Sequence, residues 1–253
     1  MSAEPAPWPE GVARHALDTI GSTNAYAISL MPGLTGPAWV IAGQQTEGRG
    51  RRGRPWVSPR GNFHGSLILR PQGGPQQAAL RSFVAALALF DACVAVTGLP
   101  DAFSLKWPND VLLNGGKLAG ILLESAGQGG QVAHLVVGIG VNLIAAPPAE
   151  AVEPGALTPV SLLGETGLRV TPEVFLAHLA PAFAHWDALL EARGFAALRA
   201  AWMARAARLG QPIRARIGGA EHHGTFRGLD ETGALILETA AGPMSIAAAD
   251  VFF

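Results

Sequence analysis

Lys106 and Lys117 are the only lysines in the chain, against sixteen arginines. A sequence that meets nearly every need for a cation with arginine keeps lysine where a compact ammonium does what a planar guanidinium cannot. The two lie eleven residues apart, in Lys106-Trp-Pro-Asn-Asp110 and Gly115-Gly-Lys117-Leu-Ala-Gly120. Two ammonium groups facing one cleft would stabilise an anion that gains charge in a transition state. Upstream, Gly48-Arg-Gly-Arg-Arg-Gly-Arg-Pro-Trp56 combines three glycines with four arginines. Glycine lets backbone wrap closely around a ligand, and arginine offers forked donors to carboxylate or phosphate. Trp56 adds an aromatic face for a nucleobase. No Gly-Lys-Ser/Thr is present, so the run is not a Walker phosphate loop, and its setting does not suit a dinucleotide fingerprint. Gly138-Ile-Gly140-Val-Asn142 reads as a strand with something held closely against its backbone, Asn142 offering a bidentate amide. Each motif has a plainer alternative: an arginine-rich RNA-binding or disordered loop, a Trp-Pro turn capped by Asp110, and a buried glycine-rich strand.

The elements that would position these groups follow from pattern. Ser22-Thr-Asn24 offers a hydroxyl or amide cap to a helix over 25–30. Strands are predicted over 38–45, 62–70, 103–107 and 132–143, with Pro108 stopping the third. Asn114-Gly115 between apolar runs predicts a hairpin, because the turn needs positive φ. Helices are predicted over 76–97, 172–193 and 195–209, and residues 145–155 form an Ala/Pro-rich loop. Beyond Gly210, strand-like runs at 213–217, 223–228, 234–238 and 245–251 suggest a small β-barrel. This places residues 1–209 in one domain and 210–253 in another.

Composition narrows the classes. With 253 residues and 49% hydrophobic content there is ample material for a large core. A formal net charge of −1 argues against bulk nucleic-acid binding. One cysteine, Cys93, excludes an internal disulfide and a cysteine-based zinc site. The N-terminus lacks the pattern of a signal peptide, and the apolar stretch 78–98 carries Arg81 and Asp91, so it reads as a core helix rather than a membrane span. A cytoplasmic protein without membrane or DNA partners is expected. The seven histidines fit no metal spacing; His222 and His223 read as solvated turn residues and His64 as half-buried.

Taken together, the motifs resemble the biotin–protein ligases, in the short form without a DNA-binding domain. The resemblance is carried by Ser22-Thr-Asn24, residues 45–56, residues 62–66, Lys106-Trp-Pro-Asn-Asp110, residues 116–124 and residues 138–142. It implies an α+β fold, a mixed central sheet flanked by helices as in class II synthetases, followed by an SH3-like barrel. It implies formation of biotinyl-5′-AMP from biotin and Mg·ATP, then transfer of biotin to a lysine of a biotin carboxyl carrier domain. Arg51, Lys106 and Lys117 would be catalytic. Ser22, Thr23, Asn24, Gln45, Gly48, Arg49, Arg51, Lys117 and Gly120 would hold biotin. Arg51, Arg54, Trp56, Lys106, Asn109 and Asn142 would hold ATP and the adenylate, with Asp110 a Mg2+ ligand and the Gly/Arg run a lid. A homodimer through the central sheet belongs to the same expectation.

Three features depart from the family's pattern: Pro55 stands where a polar or basic residue is common, Glu47 puts a carboxylate beside an anion site, and the ending at Phe252-Phe253 weakens the expectation of an ATP contact from a longer barrel tail. Three other readings compete. A lipoate or octanoate protein ligase would share the fold, but its acyl-pocket pattern is missing here. A repressor would need a helix-turn-helix ahead of Ser22, where about twenty residues stand. A non-catalytic binding module would tolerate arginine in place of both lysines.

Overall fold

The computed structural model describes residues 4–153 and 155–253. Strand β1 (Ala13–Ile20) leads through helix α1 (Thr23–Ser29) to β2 (Ala38–Gln45), then past the Gly/Arg loop to β3 (Phe63–Leu69). Helices α2 (Pro75–Ala79) and α3 (Arg81–Thr97) precede β4 (Phe103–Lys106), β5 (Asp110–Leu113), β6 (Gly116–Ala126) and β7 (His134–Val141). Helices α4 (Leu162–Thr166), α5 (Pro172–Arg193) and α6 (Phe195–Met203) come next. The chain ends in β8 (Pro212–Ile217), β9 (Ala220–Leu229), β10 (Leu235–Thr239), β11 (Gly242–Ile246) and β12 (Asp250–Phe252).

The first seven strands form one sheet, in the order β1-β2-β3-β7-β6-β5-β4. Only the β1–β2 pair is parallel, so the sheet is mixed. Side chains alternate along each strand. Phe63, Leu67 and Leu69 of β3 and Leu135, Val137, Ile139 and Val141 of β7 enter the main core with α3 and α5. Ser66, Gly138 and Gly140 therefore face the other way. Helix α1 covers part of that second face, where Ala27 packs with Ala38, Val40, Ile68 and Val136. The uncovered remainder is a cleft.

Several elements differ from expectation. Strand β1 was not foreseen; it is a largely exposed edge strand without a hydrophobic stripe. The helix over 76–97 breaks at Leu80, whose N–H bonds to Gln77 O at the tighter spacing of a 3₁₀ turn. The helix expected to reach Leu209 stops at Met203, because Arg205 O and Ala207 N bond to Leu105 in β4 (2.8 Å each). The C-terminal region has five strands rather than four, ordered β11-β10-β9-β8-β12. The run 245–251 splits between β11 and β12, which form the two ends of this antiparallel, SH3-like sheet and do not close it into a barrel. His222 and His223 lie on β9, not in a turn, and His64 is 1% exposed rather than half-buried.

The turn after β9 is organised by Asp230. Its carboxylate accepts from Thr232 N (2.8 Å), Thr232 Oγ1 (2.7 Å), Ala234 N (3.0 Å) and Ser245 Oγ (2.7 Å). Desolvation alone would raise its pKa; the bonds from Thr232 and Ser245 prevail and lower it from 3.8 to about 2. A depressed carboxyl adds stability above its unfolded pKa, and that stability is lost as pH falls through the folded value. Asp230→Ala is expected to lower the thermal midpoint at pH 7 by about 2–4 °C, the scale of one exposed hydrogen-bonded turn. In melts at decreasing pH the gap from wild type should close between 3.8 and about 2. A gap independent of pH would refute the role.

Candidate active site

A cleft of about 450 Å³ opens on the second face of the sheet. Glycines make its floor. A Cβ on Gly138 would lie 2.3 Å from Asn24 Oδ1, and one on Gly140 2.4 Å from the Trp56 ring. Neighbouring groups thus occupy the space that side chains would need.

At one end stands a run of polar groups. Gln45 Oε1 accepts from Thr23 N (2.9 Å) and Thr23 Oγ1 (3.0 Å), and Gln45 Nε2 donates to Ser58 Oγ (3.0 Å). Ser66 Oγ lies 2.7 Å from Thr23 Oγ1 and 2.5 Å from Asn24 Oδ1. Asn24 Nδ2 donates to Glu124 (2.6 Å), which fixes the amide's orientation. Ser22 caps α1 by accepting from Ala25 N (3.4 Å). Two hydroxyl protons serve the three oxygen–oxygen contacts among Gln45, Thr23, Ser66 and Asn24. Amide oxygens only accept, so the run is one donor short.

Cations gather in the middle. Lys117 Nζ lies 2.7 Å and Lys106 Nζ 3.6 Å from the Asp110 carboxylate. Burial alone would raise Asp110; the two ammonium groups outweigh it and hold the carboxyl below its ordinary range. Burial pushes the Lys106 ammonium down, with Asp110 opposing the shift. Arg51 Nη1 donates to Asn109 Oδ1 (3.3 Å), and Asn109 Nδ2 to Ile121 O (2.6 Å). Asn142 Nδ2 spends one of its two N–H donors on Val160 O (3.1 Å), and Oδ1 is buried and unpaired. Among the described residues no group of three His, Cys, Asp or Glu side chains could hold a metal.

The Gly/Arg loop folds over this centre. Trp56 N bonds to Gly48 O (2.8 Å) and Gly50 N to Arg54 O (2.7 Å), so the run is a tight reverse turn. Gly48 meets Trp56 O and Ser58 Oγ at distances no Cβ would tolerate. Trp56 lies on the glycine floor with Lys117 Nζ 5.8 Å from its ring. Of the residues singled out from sequence, all line the cleft except Gly48, which supports the loop from behind. Sequence reasoning missed Ser66, Glu124 and Asp250. Ser66 lay inside a quoted motif, and its place on β3 opposite Gly138 is the signal that could have found it.

Residues 18–142 match the model of the biotin/lipoate A/B protein ligase family, and residues 209–253 that of the biotin protein ligase C-terminal domain. A biotin–[acetyl-CoA-carboxylase] ligase of Paracoccus denitrificans is 63% identical over 232 residues, covering 92% of this chain and 97% of the relative. The chain belongs to the biotin protein ligase family. The ligase is also 34% identical to the bifunctional ligase/repressor BirA of Escherichia coli, over 90% of this chain and 70% of BirA. Its fold matches the Aquifex aeolicus biotin protein ligase in complex with biotin and ATP, with TM-score 0.79 and 25% identity over 94% of this chain and 98% of that one.

In this ligase, Asp110 offsets two ammonium groups in a largely buried setting. Asp110→Ala is expected to cost about 3 kcal/mol, the low end for breaking a buried pair, because Lys117 is partly exposed. Adding Lys106→Met should recover part of the loss, since it removes one uncompensated charge. Chemical denaturation measures both; a double variant less stable than Asp110→Ala would contradict the account.

Proposed function

We propose that the chain is an ATP-dependent ligase that makes biotinyl-5′-AMP and transfers the biotin to a specific lysine of a biotin carboxyl carrier domain. In the first step an oxygen of the biotin carboxylate attacks the α-phosphorus of ATP. The bond to the bridging oxygen breaks, and pyrophosphate leaves with the electron pair. In the second step the neutral amine of the acceptor lysine attacks the acyl carbon. The bond to the AMP oxygen breaks, the amine loses a proton, and an amide and AMP result.

The observation that carries this reading is the placing of Lys106, Lys117 and Arg51 beside a glycine-floored pocket whose polar run is one donor short. A cyclic urea is a planar N–H donor that suits Thr23, Gln45, Ser66 and Asn24, and a carboxylate and triphosphate repel each other unless cations hold them together. In this reading Ser22, Gly48, Arg49 and Gly120 complete the biotin side. Trp56, Arg54, Asn109 and Asn142 serve the adenosine side, Asn142 through its one unpaired oxygen. A protein-held Mg2+ on Asp110 does not fit, because that carboxylate is already shared by two ammonium groups. Mg2+ belongs instead to the Mg·ATP substrate. The relatives named as ligases of a biotin-dependent carboxylase favour biotin over lipoate. Residues 1–209 would form the catalytic domain and 210–253 a supporting one. A cytoplasmic location and a homodimer through the central sheet complete the reading, the latter to be read from solution mass.

ATP–pyrophosphate exchange with biotin, lipoate or octanoate tests the proposal. Exchange should require biotin, and exchange driven by lipoate instead would overturn it. Lys106 gives a sharper outcome. Its side chain is 10% exposed, with its ammonium 5.6 Å from the centre of the Phe253 ring. A guanidinium is wider and needs a planar partner. Lys106→Arg is expected to keep biotin affinity within a few-fold and to slow single-turnover adenylation about 100-fold or more, the loss of one preorganised donor. Near-wild-type adenylation would reject the role.

A further inference from the structure

The lid is tied to the C-terminal sheet by one carboxylate. Asp250, at the start of β12, accepts from Arg52 Nη1 (2.7 Å), Arg54 Nη2 (2.9 Å) and Arg216 Nη2 (3.2 Å). Glu153 closes the network, 3.2 Å from Arg54 Nη2 and 2.5 Å from Arg216 Nη2. Asp250 is itself well fixed. Its side chain is 12% exposed, and β12 pairs with β8 so that Asp250 stands opposite Arg216. Burial alone would raise its carboxyl, and the bond from Arg216 together with the charges of Arg54 and Arg52 holds it below the ordinary range.

Arg51 immediately precedes the first of the two anchored arginines and takes the opposite direction, into the cleft toward Asn109. The turn that achieves this is strained: Arg52 has φ +57°, a conformation that a non-glycine residue holds only when its surroundings fix it. Burial also disfavours the charge on Arg51, and Asp250 and Asp110 oppose that. Resting on the function proposed above, we infer that Asp250 is a positioning residue for adenylate formation, which anchors Arg52 and Arg54 and so aims Arg51 at the reacting phosphate.

The role differs from stabilisation. The side chains of Arg52 and Arg54 are 47% and 50% exposed, and ion pairs at such exposure contribute little to folding. Misplacing a group that must meet a transition state costs far more. Asp250→Asn in the full chain is therefore expected to leave the thermal midpoint and the biotin Kd near wild type, and to lower kcat/KM for ATP in biotinyl-AMP formation about tenfold or more. Asp250→Glu should recover part of the loss. Because Asp250 acts through Arg51, the double variant Arg51→Ala with Asp250→Asn should be no slower than Arg51→Ala alone within about twofold.

A second arm needs no activity: trypsin should cut the loop between Arg49 and Arg54 about tenfold faster in Asp250→Asn than in wild type, as a released loop would. The inference is overturned by unchanged tryptic rates, by adenylation within twofold of wild type in Asp250→Asn, or by losses that multiply in the double variant. A wild-type chain without biotin-dependent exchange would count against the ligase reading alone, since the proteolysis arm still decides whether Asp250 holds the lid.

Discussion

Asp110 between two ammonium groups is the constraint from which the cleft follows. Each buried ion loses several kcal/mol of hydration, and only close pairing returns it. Three strands must therefore bring their charges to one point. Lys106 pairs across β4–β5 with Asp110, and Asp110 pairs across β5–β6 with Gly120. A bulge between Val111 and Leu112 shifts the β5–β6 register by one residue, so that both Leu118 and Ala119 enter the core. Lys117 and Gly120 then share the cleft face, which strict alternation would forbid. The bulge thus re-aims a lysine while keeping the floor beside it bare.

Around that point, lysine and arginine divide the work by geometry. The ammonium groups converge on a single carboxylate at the bottom, where little space is left beside Phe253 and Trp56. The loop arginines instead span outward to carboxylates on three different segments: Glu124 on β6, Glu153 in the loop after β7, and Asp250 on β12. Forked guanidinium groups suit this bracing, since one carboxylate oxygen accepts from two of them. The glycines of the same run let the chain turn tightly enough to send neighbouring arginines in opposite directions, with Gly53 at φ +71° completing the reversal.

Much of this was legible where the signal is local. Asn114-Gly115 gives the hairpin directly, with φ of 50° and 80°. Thr171 before Pro172 marks the start of α5, where its hydroxyl accepts from Val174 N. The cleft motifs are contiguous runs whose residue types fit a carboxylate and a triphosphate. What stayed hidden is non-local or weakly patterned. Strand β1 has no apolar stripe because it lies at a sheet edge. Glu124 is an ordinary acidic residue until the fold sets it against Asn24, a hundred positions away in sequence. Asp250 meets Arg52 across 198 positions, and nothing near either residue announces the other. Asn142 spends one N–H of its amide on Val160 O, a non-local bond that leaves no trace in the sequence.

The small C-terminal sheet follows from the same constraint. Strand β4 has four residues and lies at an edge of the large sheet, a position that frays readily and exposes unpaired backbone groups. Yet it carries Lys106, whose place cannot vary if two ammonium groups are to share Asp110. The chain after α6 supplies what the edge lacks. Leu105 N donates to Arg205 O and Ala207 N to Leu105 O, so the connecting segment adds a further row of bonds along β4. Trp107 Nε1 then donates to Gly233 O (3.0 Å), fastening the next residue but one to the turn between β9 and β10. Asp250 pairs with Arg52 and Arg54 of the Gly/Arg loop from the same sheet. The lysine strand and the arginine loop, which both line the cleft, are thus both held by residues beyond 203, and the geometry of the cleft belongs to the two sheets jointly.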